Sequence, residues 1–287
     1  MPYWPPSLIV ELAERRAVLF LGAGLSVSAG LSTSSVVPDW AQLLEKLGRH
    51  LPRKKERDYV GKLIRKKLFL DAAQIVRDGV SAADFVAGLR EEIPGTLRGH
   101  AGVYEHLLKL DPKIILTTNF DEYIEQQFLH YSGGNRAHSV CRYTQDHMLD
   151  DIRSPMRVIG KIHGCITEPG SAILTRRSYF EARRRFQTYF SIVESIVTVN
   201  TVIFLGYSFS DPDVSLILEN VNLRTPSKHL HYALVPRFEH KSLRDAISSA
   251  HNINFVEYPV GEHANFENAI GELWQSVSQY RTDKGLI

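Results

Sequence analysis

Six short apolar runs, separated along most of the chain by longer segments, constrain the fold more than any other feature of this sequence. They cover residues 17–21, 113–117, 158–162, 201–205, 232–235 and 253–258. Each has the length of a buried β-strand and is far too short to span a membrane. Four of the intervening or following segments, residues 121–129, 213–223, 241–250 and 265–280, have helical spacing. Strands that alternate with helices predict a doubly wound α/β core with a parallel sheet covered on both faces.

One long segment departs from this alternation. Residues from about 40 to 110 are rich in Leu, Ala, Lys, Arg and Glu and contain no convincing strand. We therefore expect a helical insertion over about 41–110, lying over one edge of the sheet. The sequence contains no internal repeat and no Gly/Ser-rich linker, which favours a single domain over residues 1–287.

Charge and composition exclude several classes of protein. The 34 Lys and Arg residues against 32 Asp and Glu give a net charge of +2, so nucleic acid is not expected as a direct partner. Two basic stretches, 49–67 and 176–185, are read as solvated helix faces, with a docking surface as the less favoured alternative. The chain has no signal-peptide pattern at its start and no run of 18 apolar residues, and we expect a cytoplasmic protein without membrane contact.

The first predicted strand leads directly into Gly22-Ala23-Gly24-Leu25-Ser26. Glycines at a strand-to-helix turn let the backbone approach a phosphate, and the helix that follows offers free N–H groups and a positive dipole end. Val27 stands where the dinucleotide fingerprint has its third glycine, and no acidic residue ends a second strand about twenty residues later. From this segment alone, a phosphate site and a tight turn without a ligand are equally supported.

Three further predicted strands also end in polar or glycine clusters. Thr118, Asn119 and Asp121 follow the second strand, His163 and Gly164 the third, and Gly206 and Ser208 the fourth. Because the carboxyl ends of parallel strands share one edge, these clusters should converge on one crevice. Each also has a structural interpretation: Asp121 as a helix cap, His163 as a hydrogen-bonding group, and Asp211 with Pro212 as a turn and helix start.

The order of the motifs resembles that of the SIR2-like family, relatives of sirtuins found in bacterial antiphage defence. The matching motifs are GAGLS at 22–26, PDW at 38–40, TTNFD at 117–121, KIHG at 161–164, LTRRSY at 174–179 and GYSFSDPDV at 206–214. The resemblance extends from about residue 17 to residue 235. It implies a Rossmann-like NAD-binding core with a variable helical insertion.

The resemblance also implies roles for individual residues. Gly22, Ala23, Gly24 and Ser26 would line the phosphates of NAD, and Asn119 and Asp121 the nicotinamide ribose and ring pocket. His163 would be the catalytic histidine, and Ser208 would face the adenosine half. Asp39, Thr118 and Gly206 complete the expected set of NAD contacts.

Two departures from sirtuin deacylases bear on the reaction. Those enzymes carry a glutamine where this chain has Thr118, and a zinc module with two CxxC pairs. This chain has only Cys141 and Cys165, so no structural zinc or other metal is expected. We therefore expect an NAD+ hydrolase that releases nicotinamide and ADP-ribose, as an NAD-depleting effector of antiphage defence. The alternatives are an NAD-dependent protein deacylase and a non-catalytic module that binds NAD or ADP-ribose.

The chemistry of NAD cleavage makes few demands on the protein. Nicotinamide leaves as a neutral pyridine, so the site has to stabilise positive charge on the ribose and place a water. Asn119 is expected to fix that water and His163 to take a proton. By family analogy, we also expect homo-oligomerisation and a separately encoded activating partner such as a HerA-like ATPase.

Overall fold

The computed structural model describes residues 3–33, 37–93, 95–135, 138–209, 212–259 and 263–286. Its strands are β1 (Ala17–Leu21), β2 (Ile114–Thr117), β3 (His138–Arg142), β4 (Arg157–Lys161), β5 (Thr201–Leu205), β6 (His231–Pro236) and β7 (Ile253–Tyr258). Its helices are α1 (Pro6–Ala13), α2 (Ala23–Ser32), α3 (Trp40–Gly48), α4 (Lys54–Arg65), α5 (Phe69–Gly79), α6 (Ala82–Glu92), α7 (Gly102–Lys109), α8 (Tyr123–Tyr131), α9 (Met148–Arg153), α10 (Arg176–Arg185), α11 (Gln187–Val199), α12 (Pro212–Arg224), α13 (Lys241–His251) and α14 (His263–Asp283).

The strands form one seven-stranded sheet in the order β3-β4-β2-β1-β5-β6-β7. Every neighbouring pair is parallel, which confirms the predicted Rossmann-like, doubly wound α/β fold. The chain builds one half of the sheet outward from β1 through β2 and then crosses back to build the other half from β5. Such a reversal opens a crevice at the carboxyl ends of the central strands, where folds of this type bind their ligands.

Strand β3 is the one strand that the sequence patterns do not reveal. It lies at the edge of the sheet, and only Cys141 of its five residues is fully buried. A half-buried edge strand needs no continuous apolar run, so His138–Arg142 lacks the signal that identifies the six other strands. The predicted bounds of the other strands agree with the structure to within one residue.

Alternating residues of the central strands divide the core between the two faces of the sheet. Leu19 and Ile203 belong to the cluster on one face, and Phe20 and Phe204 belong to the cluster on the other. A third cluster is formed mainly by α3 to α6, where Leu44 and Leu47 pack against residues of α4 and α5, and Ile166 and Leu174 join it from the segment after β4.

The helices of the predicted insertion divide between these cores. Helices α3 to α6 contribute to the third cluster, whereas α7 packs against α8 and α14 and adds Tyr104 to the first. Over the described part of the chain, no helix combines the length and the apolar character that crossing a bilayer requires.

Candidate functional site

The carboxyl ends of the central strands stop at the same level. Leu21 of β1 pairs with Thr117 of β2 and Leu205 of β5, and Thr117 pairs with Lys161 of β4. The polar clusters that follow these strands therefore start side by side. Seven of the predicted site residues line a single cavity there: Ala23, Ser26, Asp39, Thr118, Asn119, Asp121 and His163. The cavity encloses about 660 Å³ between atoms, part of it open to solvent.

Hydrogen bonds fix Asn119 in the wall of this cavity. Its backbone N–H donates to Thr117 Oγ1 at 3.0 Å, and Thr117 Oγ1 in turn donates to the carbonyl of Leu21 at 2.8 Å. The side-chain Nδ2 donates to the Gly22 carbonyl at 3.1 Å and to Ser26 Oγ at 2.9 Å. Both N–H bonds of the amide are thus used, while Asn119 Oδ1 is buried without a partner among the described residues. Asn119 can therefore offer a ligand an acceptor and not a donor.

Ser26 connects Asn119 to Asp121. Its hydroxyl accepts from Asn119 and donates to Asp121 Oδ2 at 2.8 Å. Asp121 Oδ1 accepts from the backbone N–H of Tyr123 at 3.2 Å, at the start of α8. We call this chain of Asn119, Ser26 and Asp121 the amide relay. The carboxylate at its end sets the direction of these hydrogen bonds. It accepts the hydrogen bond of the Ser26 hydroxyl, so the Ser26 oxygen is free to accept from the amide.

A buried lysine contacts the last residue of the amide relay. Lys161 is fully buried, and its Nζ donates to the backbone carbonyl of Asp121 and, at 3.0 Å, to Glu125 Oε1. Burial raises the pKa of the Asp121 and Glu125 carboxyls, and the charge of Lys161 opposes that rise. Burial alone would lower the pKa of Lys161, but the carboxylates, above all Glu125, raise it overall. One buried cation thus faces two buried carboxyl groups behind the cavity and can neutralise the charge of only one of them.

His163 lies in the same cavity wall as Asn119. It is buried, its backbone carbonyl accepts from the N–H of Ile173 at 3.0 Å, and its ring meets Tyr179 edge-on at 5.1 Å between centroids. The next residue, Gly164, has φ +91°, and a Cβ there would lie 2.8 Å from the Ser171 carbonyl oxygen. Glycine at 164 therefore permits the turn that follows the histidine.

Three glycines let two loops touch at the neighbouring strand ends. The Gly24 N–H donates to the Gly206 carbonyl at 2.9 Å, and the Gly22 N–H donates to the Leu205 carbonyl at 3.0 Å. Gly206 has φ +65°, and a Cβ there would lie 2.2 Å from the backbone nitrogen of Leu25. Close backbone contact thus requires glycine here whether or not a phosphate binds, and the phosphate role of these residues stays a prediction.

The remaining predicted residues lie in two different settings. Asp39 lines the cavity and also caps α3, because its Oδ1 accepts from the N–H of Gln42 at 2.8 Å while Gln42 Oε1 accepts from the N–H of Asp39 at 3.0 Å. Ser208 is exposed and does not line this cavity. Of the predicted turn at Asp211 and Pro212, Asp211 lies outside the described residues.

Sequence reasoning missed an apolar wall and the buried lysine. Trp40, Leu43 and Ile93 of the insertion line the cavity, as does Leu174. Insertion residues this far from the strands in sequence carry no local sign that they reach the sheet edge. Lys161 could have been recognised, because it lies within the apolar run 158–162. A lysine in a buried strand needs a partner, so its position predicts a buried carboxylate nearby.

The described residues contain no group of three or more His, Cys, Asp or Glu arranged to hold a metal ion. Cys141 and Cys165 are both buried and free. Burial raises the pKa of the Cys141 thiol to about 12, which keeps it protonated near neutral pH.

Three curated proteins are similar to the chain over most of its length. Two proteins named NAD(+) hydrolase ThsA are similar to the chain: that of Acinetobacter baumannii (strain 532279) is 24% identical over 90% of this chain and 50% of its own length, and that of Bacillus cereus (strain MSX-D12) is 25% identical over 80% and 45%. Defense-associated sirtuin 2 of Bacillus subtilis is 22% identical over 81% of this chain and 23% of its own length. The chain thus spans half or less of the length of these curated relatives.

The sequence profile of the SIR2-like domain matches residues 113–256, which is half of the chain. The matched segment contains β2, β4 and β5 with the Asn119, His163 and Gly206 clusters that follow them. Together with the parallel sheet, this match shows that the chain belongs to the SIR2-like domain family.

Proposed function

We propose that this protein is an NAD+ glycohydrolase, which cleaves the bond between nicotinamide and ribose to give nicotinamide and ADP-ribose. The observation that carries the proposal is the placement of Asn119 and His163 in the wall of one cavity, with the Asn119 amide held by the relay. Relatives named NAD(+) hydrolase support this activity at the level of the family.

The cavity suits a ligand with an aromatic ring beside a sugar. Trp40, Leu43 and Ile93 supply an apolar wall for the nicotinamide ring. Asn119 and Asp121 supply acceptors for ribose hydroxyl groups or a water. The turn around Ala23 and the start of α2 supply a helix N-terminus toward which the phosphates of NAD would extend.

In the proposed reaction, the bond between the ring nitrogen and ribose C1 breaks, and its electron pair leaves with nicotinamide. Positive charge then develops on the sugar, and an ionised Asp121 in the cavity wall stabilises it. Asn119 accepts a hydrogen bond from the attacking water and orients its oxygen toward C1. The water oxygen adds to C1, and His163 takes the released proton and returns it to solvent.

Removal of either central group should abolish most turnover. Asn119→Ala and His163→Ala should each lower nicotinamide release by about 10²–10⁴-fold, the range for a positioned acid–base group. His240→Ala and Asn268→Ala change the same residue types at exposed positions and should leave the rate unchanged. The rate of nicotinamide release by all four variants is measured by incubation with NAD and separation of the products by chromatography.

The products also distinguish the alternative functions. A deacylase would release nicotinamide only with an acyl-lysine peptide and would form O-acyl-ADP-ribose. A binding module would be protected by NAD against thermal unfolding without turnover. Either result, obtained with folded protein, would replace the hydrolase proposal.

We also propose that NAD depletion serves antiphage defence, with homo-oligomerisation and a separately encoded partner controlling the activity. The name of the Bacillus subtilis relative, Defense-associated sirtuin 2, supports the defence role at the level of the family. Light scattering tests the oligomer: protein that is strictly monomeric and fully active alone would contradict this part of the proposal.

A further inference from the structure

Helix α4 and the turns on either side of it carry a concentration of positive charge that the cavity does not use. The segment from Arg53 to Lys67 contains eight basic and two acidic residues, a net charge of +6 in a chain whose total is +2. All eight basic residues are exposed. The residues outside this segment therefore have a net charge of −4, although residues 176–185 form a second, smaller basic stretch.

The positive charges continue along one side of the helix. Lys55, Tyr59, Lys62 and Lys66 follow at intervals of four, three and four residues, which places them on one helical face. We call these four residues the basic face. The opposite face, with Val60, Leu63 and Ile64, packs into the third hydrophobic cluster. At 1.5 Å per residue, the basic face extends over about 16 Å.

The stability of the helix accounts for only part of this arrangement. Lys54 and Lys55 stand in the first turn of α4, where cations oppose the positive end of the helix dipole, and the N-cap Arg53 makes no side-chain capping bond. Among the eight basic residues, only Arg53 has a carboxylate partner within the described chain, Glu56 at 3.3 Å. Glu56 in the first turn and Lys62 and Arg65 in the last turn do suit the helix dipole. The cations at the start of α4 remain the part that local helix rules leave unexplained, and such departures are expected where a surface has a function.

We propose that the basic face of α4 binds the phosphate backbone of nucleic acid. A row of lysines beside a single half-exposed aromatic, Tyr59 at 53% exposure, is typical of an electrostatic footprint for phosphates. Protein interfaces are instead depleted in lysine and need an apolar centre, which this face lacks. The proposal departs from the expectation of solvated helix faces, and it does not depend on the proposed NAD hydrolysis.

The experiment measures binding of the full chain to a fluorescein-labelled DNA duplex of about 20 base pairs by anisotropy. If Lys55, Lys62 and Lys66 each neutralise one phosphate, the logarithm of the affinity falls with the logarithm of salt at a slope of about −2.7. Affinity should then fall about 40-fold between 50 and 200 mM salt. The triple variant Lys55→Gln, Lys62→Gln, Lys66→Gln should lose most of this binding and most of the slope.

A matched variant shows whether binding depends on the basic face or only on the net charge of the chain. Lys228→Gln, Lys241→Gln, Lys284→Gln makes the same change of charge at exposed positions on other elements and should bind as the unmodified chain does. Equal loss in both variants would overturn the proposal, as would no binding of the duplex at 50 mM salt. Binding of poly-glutamate without binding of the duplex would assign the face to an acidic protein. Thermal unfolding of both variants at the unmodified temperature shows that the fold is retained.

Discussion

Ser26 is the residue for which the structure and the sequence resemblance predict different kinetics. The resemblance places its hydroxyl against the phosphates of NAD, whereas the structure shows it between Asn119 and Asp121. Ser26→Ala therefore separates the two roles. A lost phosphate contact would raise KM. In the proposed mechanism, a lost relay would instead lower kcat, because Asn119 would no longer hold the water in place.

The hydrogen bonds set the size of the effect. The substitution removes two buried bonds, of 2.8 and 2.9 Å, and leaves Asp121 Oδ2 and one Asn119 N–H unpaired. Each unpaired group costs about 1–3 kcal/mol, so the free energy of unfolding should fall by about 2–6 kcal/mol. Asn119 keeps its bond to the Gly22 carbonyl, so the cost of misplacing its amide is about 1–2 kcal/mol, or about 5- to 30-fold in kcat.

The assay is steady-state release of nicotinamide, with urea unfolding as the measure of stability. Ser28→Ala is the matched control, because Ser28 is also a buried serine of α2 but does not line the cavity. It should lower kcat far less than Ser26→Ala. If Ser26→Ala raised KM about tenfold and left kcat unchanged, the relay would have no part in catalysis and the phosphate role would stand.

Three further predictions concern stability. Gly206→Ala should cost at least about 2 kcal/mol more than Gly133→Ala in urea unfolding, because both have φ near +65° but only Gly206 has backbone atoms in the way of a Cβ; equal costs would show that the loop contact is slack. Lys161→Met leaves two buried carboxyl groups without a cation and should cost about 3–5 kcal/mol at neutral pH. Protonated carboxyls relieve this cost, so the loss should shrink as the pH falls toward their ordinary pKa values of 3.8 and 4.5, and a pH-independent loss would contradict the charge balance. Burial lowers the pKa of His231 to about 4, and its Nδ1 accepts a hydrogen bond from the N–H of Val202 at 3.2 Å. The neutral ring therefore contributes about 3 kcal/mol to the free energy of unfolding above pH 6.5, and this contribution is lost as the pH falls toward 4. The His231→Gln variant should lose less stability than the unmodified chain over this pH range. An equal loss would show that His231 does not cause the acid-induced destabilisation.

The sequence predicts the sheet well because its strands are buried on both faces. Runs such as Ala17–Leu21 and Thr201–Leu205 need apolar residues at every position, and this continuous signal identifies them. β3 lacks the signal because it lies at the edge. The convergence of the Asn119 and His163 clusters follows from the same topology, since parallel strands in register must end together.

Contacts between distant segments are the part that sequence patterns leave out. GAGLS is recognisable as a turn before a helix, but nothing in it shows that Ser26 bonds to a carboxylate 95 residues away. The positions of Trp40 and Ile93 depend in the same way on how the insertion packs. Local patterns therefore locate the polar half of the cavity, and only the folded chain reveals the apolar half.

The apolar half of the cavity rests on a hydrophobic core outside the sheet. The polar residues of the sheet edge follow β1, β2 and β4, whereas Leu43 and Ile93 belong to the third cluster, formed mainly by α3 to α6. Phe120, between Asn119 and Asp121, packs against that cluster and joins the two halves. The hydrogen bonds of Asn119 involve no residue of the insertion, so substitutions there reach Asn119 only through the packing of Phe120. Within such an architecture, the shape of the apolar wall can vary during evolution while the polar wall keeps its hydrogen bonds, as long as the packing of Phe120 is retained.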